Sequence, residues 1–76
     1  LLNLNNNQLT GEIPDEIGNF TNLVLLTISD NQFTGEIPEE ICNTSNVYVS
    51  YNKLCPPYPS CISQDDIDSQ DTSNCP

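Results

Sequence analysis

The sequence predicts a solenoid of stacked repeats, closed at its C-terminal end by disulfides. Three observations carry this. The phrase TGEIPDEI at residues 10–17 returns as TGEIPEEI at residues 34–41, an offset of 24, and self-similarity at a fixed period of roughly 20–50 residues marks stacked architectures. Each copy holds a short stretch with apolar residues two apart, the period of a strand with one buried face. Four cysteines, Cys42, Cys55, Cys61 and Cys75, crowd the C-terminal half of a 76-residue chain; an even set in so small a chain reads as a disulfide framework from an oxidising compartment.

Each coil can be justified in order. The first opens on LLNLNNN, where Leu2 and Leu4 alternate inward, followed by Asn7, Leu9 and the run Thr10-Gly11-Glu12-Ile13-Pro14. Pro14 can start at most a turn or two of helix through Asp15-Glu16-Ile17, because the remainder is too short and too punctuated for more. The second coil repeats this with Leu26 and Ile28, Asn31, Phe33, Thr34-Gly35-Glu36-Ile37-Pro38 and Glu39-Glu40-Ile41. The third is worn: Val47 and Val49 are its alternating pair, and Asn52 follows Asn31 by 21 residues. That places a three-residue loss between Asn46 and Val47. Leu54, Tyr58-Pro59 and Ile62 then restore the register. The coils therefore fill residues 1–62, about 24 residues each with the last shortened to 21, and residues 63–76 form an acidic capping tail.

On one coil Leu9, Ile13, Ile17, Phe20, Leu23, Leu26 and Ile28 are expected to point to one interior. Their burial does not offset the ordering of a whole coil, so a coil needs neighbours on both faces.

Composition excludes several functions. Eleven acidic residues stand against one basic residue, Lys53, for a net charge of −10. Such a surface repels phosphate backbones and anionic membranes, so neither nucleic acid nor a membrane is an expected partner of this segment. No apolar run approaches a membrane span. A chain that opens on Leu1 in mid-pattern reads as the C-terminal piece of a longer protein, with further N-terminal repeats of the same chain as its first partners. The cysteine gaps of 12, 5 and 13 residues and the lack of histidine speak against structural zinc, whose ligands come in closer pairs. Neither a metal nor a cofactor is expected.

The repeated residues resemble the plant-type leucine-rich repeat, LxxLxLxxNxLTGxIPxxIGNxxxL. Leu2 to Leu26 matches nearly in full, and Leu23 to Asn46 matches again. The resemblance implies an α/β solenoid wound as a right-handed superhelix, with a short parallel β-sheet on its concave side and irregular or 3-10 turns on its convex side. It implies that the TGxIP segments form a second short sheet. It also implies a ladder of Asn7, Asn31 and Asn52, whose amides bond backbone groups left unpaired by the turn.

LCPPYPSC at residues 54–61 resembles the LCGxPLxxC cap of extracellular plant receptors, with Pro56 in place of Gly and one residue fewer. The tail QDDIDSQDTSNC is closer to short leucine-rich repeat proteins of bacteria and algae. The plant cap implies Cys55–Cys61, leaving Cys42–Cys75. Coil position gives the alternative, because Cys42 and Cys61 fall at similar distances after Asn31 and Asn52; that pairs Cys42–Cys61 and leaves Cys55–Cys75.

Candidate chemistry is sparse. With no histidine, carboxylates are the sole acid–base candidates, and stacking is expected to align Glu12 with Glu36 and Glu16 with Glu40; repetition alone explains such pairs, and no catalytic residue is assigned. The acidic run at residues 65–71 offers oxygen donors for calcium but lacks the Gly and distal Glu of an EF-hand loop. Asn19-Phe20-Thr21 and Asn43-Thr44-Ser45 are glycosylation sequons, exposed acceptors in a secreted eukaryotic protein and the family's ordinary GN position otherwise.

The strand residues that alternate with the buried ones are Leu1, Asn3 and Asn5, then Leu25, Thr27 and Ser29, then Asn46, Tyr48 and Ser50, with Asp30 and Tyr51 nearby. Similar leucine-rich repeat proteins bind partners on this face. Its foremost candidates are Tyr48 and Tyr51, because aromatic rings with a polar tip favour interfaces. The expected function is non-catalytic recognition of a protein or peptide at the end of an extracellular or cell-surface array. The alternative is a purely structural cap or surface-layer scaffold.

Overall fold

The computed structural model describes residues 1–20 and 22–76. Three stacked coils contribute one strand each to two parallel sheets. The first sheet holds β1 (Leu2–Asn3), β3 (Leu25–Thr27) and β5 (Asn46–Tyr48); the second holds β2 (Thr10–Glu12), β4 (Gln32–Gly35) and β6 (Lys53–Leu54). Short 3-10 turns, Asp15–Asn19 and Glu39–Asn43, follow Pro14 and Pro38, whose extended backbone forms the N-cap of each turn. The core lies between the sheets: Leu26, Ile28, Ile37, Ile41, Val47, Val49 and Leu54 are buried, with Ile13 and Ile62 beside them. Leu2, Leu4, Ile17 and Leu23 are only partly buried, since among the described residues a coil packs on one side of them alone.

The first sheet keeps the spacing of the repeat, with Leu2 opposite Leu26 and Leu26 opposite Val47. The second sheet is staggered by two residues. Thr10 faces Gln32 and Thr34 faces Lys53, not the equivalent residues of the next coil. The 3-10 turns share the stagger: a side chain added at Gly18 would meet Glu40 Cβ at 2.6 Å and its carbonyl at 2.9 Å. Glu12 accordingly faces Thr34 and lies against Gly35, and the expected Glu12–Glu36 alignment does not occur in the strand ladder.

Two further expectations need correction. Asn46 already pairs with Leu25, so the three missing residues were lost between Asn43 and Asn46, in the link from 3-10 turn to strand. Phe20 is 53 % exposed rather than interior, and its carbonyl accepts from the Leu23 amide at 3.1 Å.

The disulfides are Cys42–Cys61 and Cys55–Cys75. The pairing Cys55–Cys61 with Cys42–Cys75 is thus corrected, and the stagger is the reason. Cys42 and Cys61 are 19 residues apart, the same offset that joins Thr34 to Lys53 and Gly35 to Leu54, and their Cα atoms stand 5.7 Å apart. Cys55 continues β6, its amide donating to the Gly35 carbonyl at 2.8 Å, and is left for the tail.

The tail contains α1 (Gln64–Asp68), which the sequence reading did not foresee. Ser63 caps it, its hydroxyl accepting from the Asp66 amide at 3.2 Å. Tyr58, aligned with Ile37, is half-buried against the core and donates its hydroxyl to the Leu54 carbonyl at 2.8 Å.

Candidate functional site

Two sets of side chains decide what the first sheet can do: those that join coils, and those left over. Asn31 joins the first two coils. Its Oδ1 accepts from the amides of Asn7 at 3.0 Å and Leu9 at 2.9 Å, while its Nδ2 donates to the carbonyls of Leu4 and Ile28. Asn52 repeats the arrangement one coil on, accepting from Phe33 at 3.2 Å and donating to Ile28 and Val49. Both are buried. Asn7 differs: its side chain is exposed, and it enters the network through its backbone amide.

The tail then continues the pattern without repeating its residues. In the first two coils the outward amides of the strand donate to carbonyls of the next coil: Leu4 to Thr27 and Asn6 to Ser29, then Ile28 to Tyr48 and Asp30 to Ser50. The equivalents in the third coil are Val49 and Tyr51, which donate to the Asp66 carboxylate at 2.9 Å and the Ser69 hydroxyl at 3.0 Å. Leu54, the equivalent of Leu9 and Phe33, donates to Gln70 Oε1 at 3.1 Å, and Gln70 Nε2 donates to the Val49 and Asp66 carbonyls. Side chains of Asp66, Ser69 and Gln70 thus stand where backbone and an asparagine of a fourth coil would. The sequence held one signal for this: Ser63 three residues before Asp66, the spacing of a helix start.

Most of the candidate recognition face is internally satisfied. Asn3 Oδ1 accepts from the Asn5 amide at 3.0 Å. Asn5 Oδ1 accepts from the Thr27 hydroxyl and the Ser29 amide, both at 2.7 Å. Ser50 donates to the buried Ser29 at 3.0 Å. Asn5, Thr27, Ser29 and Ser50 are therefore bonded across the coils.

Of the polar and aromatic residues of this face, Tyr48, Tyr51 and Asp30 remain. Tyr48 is 49 % and Tyr51 65 % exposed, and Asp30 is exposed one coil before Tyr51. Tyr48 pairs with Thr27 in the sheet. Asp30 and Tyr51 occupy the same position of successive coils, with Asn6 as the first-coil counterpart, and all three are left-handed, with φ of 58° at Asn6, 60° at Asp30 and 58° at Tyr51. Asn and Asp tolerate this region; a tyrosine there is strained.

Away from this face, Asn43 and Asn19 are exposed at the ends of the two 3-10 turns, and Asn43 Nδ2 donates to the Gly18 carbonyl at 3.4 Å. Thr21, which completes the first sequon, lies outside the described residues. A cavity of about 480 Å³ beside the second sheet is lined by Glu12, Glu36, Lys53, Pro56 and Pro76 among others. The tail aspartates do not converge: Asp66 is buried toward Val49, whereas Asp65 and Asp68 are exposed. Among the described residues no three His, Cys, Asp or Glu side chains gather as metal ligands. Nor is any helix there long and apolar enough to cross a membrane. Hydrogen bonds from the Ser73 hydroxyl and amide hold the Asp71 carboxyl below its usual range, and burial pushes the Tyr58 phenol above its ordinary value.

A family model described as Leucine Rich Repeat matches residues 1–20 and 22–44, over half of the chain. No curated protein and no solved structure matches it.

Proposed function

The chain belongs to the leucine-rich repeat family, and from that premise we propose that it is a non-catalytic recognition module for a protein or peptide. Leucine-rich repeat domains generally bind proteins. In this reading residues 1–62 are the last coils of a right-handed solenoid of the plant, extracellular type, stacked on further repeats of the same chain. Residues 63–76 are its capping tail, and the outward face of the first sheet is its concave, ligand-facing side. Asn31 and Asn52 serve as the asparagine ladder, with Asn7 at the equivalent position joining it through its backbone amide, and Asn19 and Asn43 serve as glycosylation acceptors. Two disulfides in so short a chain support an extracellular or cell-surface location.

The observation that carries recognition is Tyr51. The first two coils place Asn6 and Asp30 at its position, residues suited to the left-handed turn. The third coil places a tyrosine there, strained and largely exposed. Strain kept at an exposed aromatic residue fits a ring retained for contact. The test is to change Tyr48→Ser and Tyr51→Asn in the full-length protein. Lost partner binding with undiminished stability supports recognition, and retained binding overturns it.

A second reading has its own support. The tail bonds the outward amides of the last coil through Asp66, Ser69 and Gln70, which fits a purely structural cap or surface-layer scaffold. Under that reading the tyrosine variants alter solubility and leave binding untouched.

A further inference from the structure

We infer that Tyr48, Tyr51 and Asp30 receive an arginine or lysine side chain, so that the recognised segment is a basic peptide. This rests on the recognition reading and adds to it the chemistry of the ligand. Asp30 and Tyr51 are equivalent residues of adjacent coils with nearly the same φ, 60° and 58°. Their side chains therefore leave the backbone in the same direction, roughly 5 Å apart, the spacing of neighbouring strands. The Asp30 amide donating to the Ser50 carbonyl at 3.0 Å fixes that adjacency. Tyr48 belongs to the same face.

A carboxylate next to one phenol ring, with a second phenol on the same face, suits a cation. The ring faces attract it through their quadrupoles, and the carboxylate accepts its N–H groups, in bidentate fashion for a guanidinium. The protein offers no such cation of its own here: Lys53, its single basic residue, belongs to β6 on the second sheet, opposite Thr34. A net charge of −10 steers basic partners toward the chain and phosphate-bearing ones away. That general attraction cannot choose a site, whereas the two rings and Asp30 can.

The experiment uses the disulfide-bonded chain and two synthetic peptides, Gly-Arg-Gly-Arg-Gly and its citrulline counterpart, which keeps the shape and removes the charge. Calorimetry gives affinities, and amide chemical shifts locate the contact. The arginine peptide is expected to bind at Tyr48 and Tyr51 at least about tenfold tighter than the citrulline peptide. Tyr51→Asn and Asp30→Asn are each expected to weaken it about threefold to tenfold. Glu39→Gln removes one exposed charge from the distant 3-10 turn and is expected to leave it unchanged.

The inference is overturned if Glu39→Gln weakens binding as much as Asp30→Asn, which would show attraction by net charge alone. It is equally overturned if both peptides bind alike or neither binds. The recognition reading fails separately, when the tyrosine variants of the full-length protein keep their partner.

Discussion

The carboxamide of Gln70 stands to Leu54 as that of Asn52 stands to Phe33. Each accepts one amide proton, at 3.1 Å and 3.2 Å, and each donates to the carbonyl of the preceding strand and to a nearby carbonyl of its own segment. A residue on a helical turn thus performs the work of a ladder asparagine. Gln70→Ala is expected to cost about 1–3 kcal/mol, because it strands Leu54 N–H and removes one of the two donors to Val49 C=O, leaving Asn52 as the other. Asn31→Ala and Asn52→Ala should cost at least as much. Denaturant unfolding checks this: a Gln70→Ala midpoint equal to that of the parent would show that the tail does not close the last coil.

Asp66 and Ser69 should rank by burial. Asp66 is buried and accepts from Val49, whereas the Ser69–Tyr51 bond is exposed. Asp66→Ala is expected to cost about 1–3 kcal/mol and Ser69→Ala less than about 1 kcal/mol, since water replaces only the exposed partner. Each kcal/mol reads as a shift of about 4–8 °C in Tm for a domain of this size.

Tyr51→Asn should stabilise the protein. Relief of a left-handed tyrosine is worth about 1–2 kcal/mol, less the contacts its ring makes. A higher Tm together with weaker partner binding is the expected pair of results. A lower Tm would mean that the ring contributes more to packing than its exposure indicates.

Gly18→Ala is expected to destabilise by about 1–3 kcal/mol by overpacking. The new methyl would sit 2.6 Å from Glu40 Cβ and 2.9 Å from its carbonyl, so whole turns must move apart. Thermal unfolding of this variant measures how rigidly the coils are stacked; an unchanged Tm would show that they slide freely.

The disulfides can be mapped by cutting the unreduced chain after Lys53, the single basic residue, and before the tail aspartates. Cys42–Cys61 and Cys55–Cys75 keep the fragment 54–64 joined to the two other cysteine-bearing fragments. Cys55–Cys61 would instead release that fragment alone. Removing either bridge is expected to cost about 2–4 kcal/mol.

What the sequence made legible was equivalence between coils. Leu26, Ile28, Val47 and Val49 announce strand phase by alternating, and Asn31 and Asn52 by recurring. What it hid was adjacency. Self-alignment matches Gly18 with Cys42, yet in space Gly18 meets Glu40, and the same two-residue slip brings Cys42 to Cys61. The tail was hidden for another reason: Asp66, Ser69 and Gln70 replace backbone carbonyls and an asparagine with side chains of other types, so no repetition betrays them. On the candidate face, alternation indicated which residues point outward. Only the bonds among Asn5, Thr27, Ser29 and Ser50 show which of them are already occupied.

The link between Asn43 and Asn46 bears on how such a protein can grow or be rebuilt. Losing three residues there shortens the spacing by three in both sheets alike, from Leu2–Leu26 to Leu26–Val47 and from Thr10–Gln32 to Thr34–Lys53, and neither ladder breaks. It works as an expansion joint: units of unequal length can be spliced at that one seam, by evolution or by an engineer, while the hydrogen-bonded spine on either side keeps its gauge.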